Sequence, residues 1–318
     1  MSTESNRIDV VIGVIVNPRN EVLVTQRHNN AHQGGLWEFP GGKREADEDI
    51  IDTLARELKE EIGITVVDAS RLIEINYDYD DRIVNLKVFT IDVFEGIARS
   101  CEGQTIQWVP IISLHEVAMP AANAGIVQAI TLPDTYLITP EPEDLESFLT
   151  TLQNCLLGGI RLIQYRDKSA TDSQYAQRLD TIKELAHQSG AKVLINRSIE
   201  MFTQVNADGL HLTADQLLAL EDRPVANECL LSASCHNLDE VEQANKIGAD
   251  FIMLSPVLPT LTHPGAPTLG WEKTKQLIQR AHMPVYALGG MEPGHIPLAR
   301  VNGAQGIAGI RSLWKGFQ

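Results

Sequence analysis

Residues 42–64 read GKREADEDIIDTLARELKEEIGI. The fixed positions are Gly42, Glu48, Arg56, Glu57, Leu58, Glu60, Glu61, Gly63 and Ile64, in the spacing G-x5-E-x7-R-E-U-x-E-E-x-G-U with U aliphatic. Seven of them demand a single residue type. Such a match arises by chance on the order of once in 10⁸ starting positions, so the spacing reflects chemistry. Ile50, Ile51, Leu54, Leu58 and Ile62 recur at three- and four-residue steps. That periodicity predicts an amphipathic helix over 49–62 with those five side chains on its buried face. Glu57, Glu60 and Glu61 stand at i, i+3 and i+4, which projects their carboxylates from one side of the helix. Gly63 is placed to end it as a C-cap. Carboxylates gathered on one strip repel unless a cation sits among them. Hard oxygen ligands of this kind suit Mg²⁺ or Mn²⁺, with phosphate oxygens of a substrate completing the shell. The plain alternative is a solvated acidic face. Gly42, Glu48 and Arg56 at their fixed spacing weigh against it.

This spacing resembles the signature of the Nudix hydrolases. The resemblance implies an α/β/α sandwich with a mixed sheet and a pyrophosphate-cleaving activity. It also implies roles residue by residue. Glu57, Glu60 and Glu61 become metal ligands, with the Gly42 carbonyl near the same ion, and Arg56 orients the glutamates. One carboxylate of the set, or a remote one, takes the proton of the attacking water, while the metal lowers that water's pKa and neutralises the departing pyrophosphate.

Outside the box, RIDVVIGVIVN, the EFPGGK run from Glu38 and ITVVDA resemble the MutT-type 8-oxo-dGTP diphosphatase branch, which serves nucleotide-pool sanitation and DNA repair. Arg27 in VLVTQR, Phe39, Arg82 in DYDDRIV and Asn123 in MPAANAGI match its nucleotide-contacting positions. Glu102 in CEGQ matches a remote glutamate with metal or base duty. An amide such as Asn123 can donate to and accept from a purine edge, and an aromatic ring can cover its face. Taken singly, Asn123 also reads as a helix N-cap and Phe39 as core.

The chain has 318 residues, 43% hydrophobic and 5% aromatic, with a formal charge of −16. That length predicts two domains, a Nudix domain over 1–131 and a second over 135–318. The stretch LPDTYLI, with Pro133, reads as the linker. The acidic balance argues against a nucleic-acid polymer as partner and for a free nucleoside triphosphate. No apolar run has membrane-spanning length, and the polar start MSTESNRID is unlike a signal peptide. Cys101, Cys155, Cys229 and Cys235 show no metal or redox spacing. They read as free thiols of a reducing, cytoplasmic compartment.

From Thr135 onward, eight short apolar runs alternate with helical stretches: TYLIT, GIRLIQYR, KVLIN, GLHL, LLSASC, FIMLSPV, PVYALGG and GIAGI. This α/β pattern predicts a compact (β/α)8 TIM barrel, whose site forms at the C-terminal strand ends. Residues there are Gln164, Arg166 and Lys168, then Asn196 and Arg197, Asp215, His236, Thr260 and Thr262, Gly289–Gly290, and Gly309. The glycines suit a backbone phosphate cradle, and Arg166 with Lys168 adds charge for a phosphorylated small molecule.

IQYRDKSA, INRS, ADGLHL, SCHNLDE, SPVLPTLTHPGAPTLG and ALGGM resemble thiamine phosphate synthase and its TenI-like thiazole tautomerase relatives. Two positions depart from the synthase. Arg197 stands where it has a Mg²⁺-binding aspartate, and His263 where it has a pyrophosphate-gripping lysine. Arg197 is then expected to meet phosphate directly. A tautomerase needs a base and a cradle, not a metal, and His236 is the candidate acid/base. Its alternative is a capping or packing role; His211 and His115 read as structural. Three readings of the whole chain follow: a sanitising diphosphatase joined to a thiamine-pathway-like barrel, a Nudix enzyme for a thiamine-related or other pyrimidine diphosphate, or a Nudix enzyme carrying a non-catalytic scaffolding barrel.

Overall fold

The computed structural model of the chain describes residues 7–28, 33–79, 82–260, 265 and 267–315, with the side chains of 7, 78, 79 and 82 outside the description. It divides into two compact units, Met1–Thr131 and Leu132–Gln318. The first contains β1 (Arg7–Val14), β2 (Glu21–Gln26), β3 (Trp37–Glu38), β4 (Gly41–Lys43), α1 (Ile50–Ile62), β5 (Thr65–Tyr79), β6 (Arg82–Glu95), β7 (Ile106–Pro110) and α2 (Ala124–Thr131). A mixed sheet runs β4-β1-β6-β5, with β1 parallel to β6 and its other pairs antiparallel. A second, antiparallel sheet runs β3-β2-β7.

Both faces of β1 are covered, so it reads as a continuous apolar run rather than an alternating one. Val11 packs with Leu54, Leu58, Ile62, Phe89 and Ile91 on the α1 side. Ile12 and Val14 pack with Val22, Val24, Phe39, Ile126 and Ala129 on the α2 side. That is the sandwich. Leu54, Leu58 and Ile62 have no exposed surface. Burying each such side chain contributes roughly 1.5–3 kcal/mol. Asp49 caps α1 by accepting from the Ile51 amide, and Gly63 ends it at φ 74°. Ile51 corrects the expected face: it is 45% exposed, and Thr53 is buried instead. Periodicity gives the angle of a side chain around a helix, not how far along it the sheet reaches.

The second unit closes eight parallel strands into a barrel: β8 (Thr135–Ile138), β9 (Leu162–Tyr165), β10 (Lys192–Ile195), β11 (Gly209–Leu212), β12 (Leu230–Cys235), β13 (Phe251–Leu254), β14 (Val285–Leu288) and β15 (Gly306–Gly309), which pairs back to β8. Around it run α3 (Leu145–Leu157), α4 (Asp172–Gln188), α5 (Ile199–Gln204), α6 (Ala214–Leu218), α7 (Leu238–Lys246), α8 (Gly270–Ile278), α9 (Ile296–Val301) and α10 (Arg311–Lys315). Much of the stretch read as a linker is therefore strand, since Thr135–Ile138 is β8. Alternate residues split into two cores. Tyr136, Leu162, Leu194, Phe251 and Tyr286 fill the lumen, whereas Ile163, Val193, Leu210, Leu231 and Ile252 meet the helices. Tyr136 meets Phe251 edge-on at 5.1 Å. A four-residue strand buried on both faces has no polar positions to reveal its period, and its shortness is the signal that separates it from a helix.

Polar residues also reach the lumen, among them Gln164, Ser232 and His211, the last 2% exposed. Its Nδ1 lies 2.6 Å from Ser232 Oγ and its Nε2 2.9 Å from Ser234 Oγ. Burial drives its pKa down to about 3. An unfolded histidine titrates near 6.5, so the unfolded chain binds a proton that the folded barrel refuses. The stability this neutral side chain contributes is complete above about pH 6.5 and is lost as the pH falls toward 3. Wild type should lose up to about 1.4 kcal/mol per pH unit between pH 6 and 4 that His211→Gln does not lose. Urea midpoints measured across that range for both proteins give the test; parallel pH profiles would remove His211 as the titrating group.

Candidate functional site

Arg56 organises the first unit's site. Its Nε and Nη2 reach the two oxygens of Glu48 at 2.9 and 3.0 Å, and its Nη1 reaches Glu57 Oε1 at 2.9 Å and Glu60 Oε2 at 3.2 Å. Thr53 Oγ1 donates to Glu48 Oε2 at 2.8 Å. Hydrogen bonding from Arg56 holds the Glu48 carboxyl down at about 2. Glu48 is therefore an anchor for the arginine, and the arginine is the anchor for the helix carboxylates.

Glu57 and Glu61 stand one turn apart on α1 and are half-buried, while the Glu60 side chain is 55% exposed and turns to Arg56. Glu61 Oε2 accepts the Gly41 amide of β4 at 2.8 Å. Burial raises Glu61 to about 7 and raises Glu57 as well, the latter against the pull of Arg56. Gly42 packs directly on Glu57: a Cβ there would lie 2.1 Å from Glu57 Oε2. Its φ is not positive, so a side chain here would meet no backbone strain and would instead displace the Glu57 carboxylate.

Glu57, Glu61 and Glu102 line one cavity of about 160 Å³ together with Gln26, Arg27, His28, Glu38, Gly41 and Gln104. Of the expected carboxylates, only Glu60 stays outside it. Gln104, which the sequence reading missed, fixes the Glu102 loop. Its Nε2 donates to Glu61 O at 2.8 Å, and its Oε1 accepts the Glu102 amide at 3.2 Å. Its signal was the CEGQ run already quoted for Glu102. Glu38, also missed, pairs with Arg27, one residue past β2, and burial raises its carboxyl too. Among the described residues no three carboxylates are drawn tightly enough to grip an ion. The donor set nonetheless fits one: Glu57, Glu61 and Glu102 face a single small cavity, burial raises the first two, and a hard divalent cation relieves the repulsion among them.

A second cavity, about 420 Å³, adjoins through Arg27, Glu38 and Gly41, which line both. Its walls include Ile8, Phe39, Lys43, Leu86 and Asn123. Phe39 is 2% exposed and belongs to the α2-side core, so the core and pocket readings of this ring coincide. Asn123 ends a 3-10 turn just before α2. Arg82 opens β6, and its side chain lies outside the described residues.

In the barrel, most of the expected residues follow the C-terminal strand ends, whereas Gln164 lies within β9 and Gly309 is the last residue of β15. Gln164 is buried, with Nε2 3.4 Å from Tyr136 OH, and Asn196 donates to His211 O at 3.1 Å. Asp215 is exposed on α6, and Thr262 and His263 lie outside the described residues. His236 is exposed; its Nδ1 sits 2.7 Å from Ser255 O, which makes Nδ1 the donor and leaves Nε2 as the free ring nitrogen. Gly289, Gly290, Gly309 and Thr260 line a cavity of about 500 Å³ with Arg311, Ser312 and Lys315. Gly289 and Gly290 have φ 99° and 66°, and a Cβ at Gly290 would lie 2.6 Å from Pro259 O. The expectation for Arg197 is corrected. Its Nη2 donates to Asp167 O and Ala170 O at 2.6 and 2.7 Å, and its guanidinium lies 4.5 Å over Tyr175, so it braces a loop instead of waiting for phosphate.

No helix among the described residues is long and apolar enough to cross a membrane. A family model described as thiamine monophosphate synthase matches residues 135–313, and a Nudix domain model matches residues 11–129. The putative thiamine-phosphate synthase 2 of Aquifex aeolicus is 36% identical over 179 residues, 56% of this chain and 96% of that protein. The thiamine-phosphate synthase of Nostoc punctiforme is 32% identical over 184 residues, and this chain spans about half of it, 52%. Among solved structures, MutT from Aliivibrio salmonicida and Vibrio cholerae shares 37% identity over 39% of this chain and 96% of that one, at a TM-score of 0.35. Thiamine phosphate pyrophosphorylase from Pyrococcus furiosus shares 24% over 62% and 94%, at a TM-score of 0.49. The chain belongs to the thiamine monophosphate synthase family through residues 135–313, and it carries a Nudix hydrolase domain ahead of that barrel.

Proposed function

We propose that the Nudix domain is a Mg²⁺-dependent nucleoside triphosphate diphosphatase that sanitises oxidised purine nucleotides, turning 8-oxo-dGTP and water into 8-oxo-dGMP and pyrophosphate. The observation that carries this reading is Asn123. It is 5% exposed on the wall of the larger cavity, and no described residue hydrogen-bonds its side-chain amide. An amide on that wall can both donate to and accept from a purine edge. Phe39 shares that wall and can cover the base. Arg27, Glu38 and Gly41 connect this cavity to the carboxylates, so a base seated by Asn123 leaves its phosphates beside Glu57, Glu61 and Glu102.

Mg²⁺, or Mn²⁺, held by those carboxylates and the Gly42 carbonyl supplies water activation and charge neutralisation at the leaving pyrophosphate. Glu60 would join them by leaving Arg56. Arg56 orients Glu57 throughout, and Glu61 or Glu102 is the group positioned to take the water's proton.

The barrel in this reading binds a phosphorylated small molecule at its C-terminal strand ends. Gly289, Gly290 and Gly309 cradle the phosphate with backbone N–H groups, and His236 exchanges a proton through Nε2, as a thiazole-phosphate tautomerase requires. The Aquifex and Nostoc relatives are named as synthases. Against a Mg²⁺-dependent condensation here stands Arg197, a cation at the position where the resemblance expects a metal-ligating aspartate.

Turnover of 8-oxo-dGTP beside dGTP, with pyrophosphate and orthophosphate quantified and Glu60→Gln as the blank, tests the first domain. Preference for the oxidised nucleotide is expected, and Asn123→Ala should lower kcat/KM by about tenfold or more. Turnover of thiamine-related diphosphates in its place would move the substrate. Gly42→Ala and Arg56→Lys should each cost about 10–100-fold in Mg²⁺-dependent turnover with unchanged circular dichroism, because both displace Glu57. Full activity in Gly42→Ala would remove Glu57 from the site. For the barrel, thiazole phosphate should bind the full chain, and Arg166→Ala should bind it about tenfold more weakly. Equal binding by the two proteins would leave the barrel a scaffold or place its site elsewhere.

A further inference from the structure

Among the described residues, three other than glycine hold a positive φ: Asn20 at 60°, Gln33 at 57° and Asp47 at 65°. Asparagine and aspartate tolerate this left-handed backbone, because their short polar side chains can bond locally. Glutamine lacks that compensation. A residue of this kind stays left-handed where the surrounding structure imposes it, and such positions gather at ligand sites. Of the three, only Gln33 lines one of the cavities described above. It stands on the wall of the larger one, with Phe39 and Asn123.

Gln33 sits in the turn between β2 and β3. Across that turn the Arg27 amide donates to Leu36 O at 2.9 Å and the Gly35 amide to Arg27 O at 3.1 Å. Gln26 Nε2 donates to Gly35 O at 3.1 Å, and Gly35 is itself left-handed at φ 82°. Further on, the Trp37 amide donates to Ala118 O, and the Asn123 amide to Pro120 O, each at 2.9 Å. The strand that follows Gln33 is thus tied to the segment that leads to Asn123, and the two carboxamides hang on one hydrogen-bonded frame.

The rest of the wall offers little else that could read a neutral ring. Arg27 and Glu38 pair with each other, Lys43 carries a charge, and Ile8, Val84 and Leu86 are apolar. Gln33 and Asn123 are the two neutral side chains of this lining that both donate and accept. One carboxamide can turn over to suit a donor or an acceptor, so alone it ranks bases weakly. Two on one frame must both be satisfied, and a base with the wrong pattern at either contact leaves a group unpaired.

We propose that Gln33 is a specificity-determining residue of the Nudix domain. Its carboxamide meets the part of the purine edge that Asn123 leaves free, and the left-handed backbone turns it there. This deepens the reading of the larger cavity as the seat of an oxidised purine, and rests on it.

The test is calorimetric titration of the full chain with 8-oxo-dGMP and with dGMP, for wild type, Gln33→Met and Gln33→Gly. Methionine keeps the length and the strained backbone and removes the amide; glycine removes both. Wild type should prefer 8-oxo-dGMP, and each variant should lose about tenfold of that preference. Gln33→Gly should also melt at or above the wild-type Tm, since it frees the backbone while it weakens the ligand. A lower Tm in that variant overturns the role given to the backbone. Full wild-type preference in Gln33→Met overturns the role given to the amide, whether or not the glycine variant folds. Equal loss of affinity for both nucleotides in Gln33→Met overturns it too, because the turn would then support the pocket without reading the base. Wild type that binds neither nucleotide, or both alike, sinks the underlying reading of the cavity instead.

Discussion

Four carboxylate oxygens meet one guanidinium at Arg56, and the geometry of the Nudix domain's site follows from that contact. Two oxygens belong to Glu48 and form the bidentate grip that guanidinium and carboxylate favour. The grip spends most of the arginine's fork on an anchor outside the helix. What remains is one nitrogen, shared between Glu57 and Glu60. Glu57 is thereby held against Gly42 at the cavity wall, while Glu60 is drawn outward. An unanchored arginine would neutralise the glutamates wherever they went, and the helix would lose its directed edge.

The box was legible because its chemistry is local. Residues 42–64 contain the anchor, the arginine, the carboxylates and both glycines, and helical spacing alone places Glu57 and Glu61 one turn apart. The barrel was legible for another reason: eight short, doubly buried strands leave an unbroken apolar signature, and closing them puts loop residues at a common end. What stayed hidden depends on tertiary reach. Nothing in a sequence says that Ile51 is left exposed while Thr53 is buried, or that Gln104 ties the Glu102 loop to the end of α1. Arg197 is the clearest case. Its residue type pointed to phosphate, but its partners are two carbonyls thirty and twenty-seven residues upstream.

The two sites treat charge in opposite ways. The Nudix cavity buries carboxylates that burial itself makes reluctant to ionise, which suits a cation-dependent anion site. The barrel loop after β9 does the reverse. It holds its one internal carboxylate, Asp167, inside a shell of donors from Arg178, Tyr165, Ser169 and the Ala170 amide. One unit thus leaves its carboxylates facing an open cavity, and the other spends its carboxylate on the framework of a loop.

Several of the contacts that aim these side chains come from the main chain. Glu61 is set by the Gly41 amide, His236 by the Ser255 carbonyl, Asn196 by the His211 carbonyl, and Arg197 by the carbonyls of Asp167 and Ala170. Replacing Ser255 or Ala170 leaves the atom that matters in place. A side-chain scan of this protein would therefore draw a map with holes in it, bright at the residues being aimed and dark at the residues that aim them. Seeing the rest requires editing the peptide bond itself, for instance by an ester in place of the Gly41 amide.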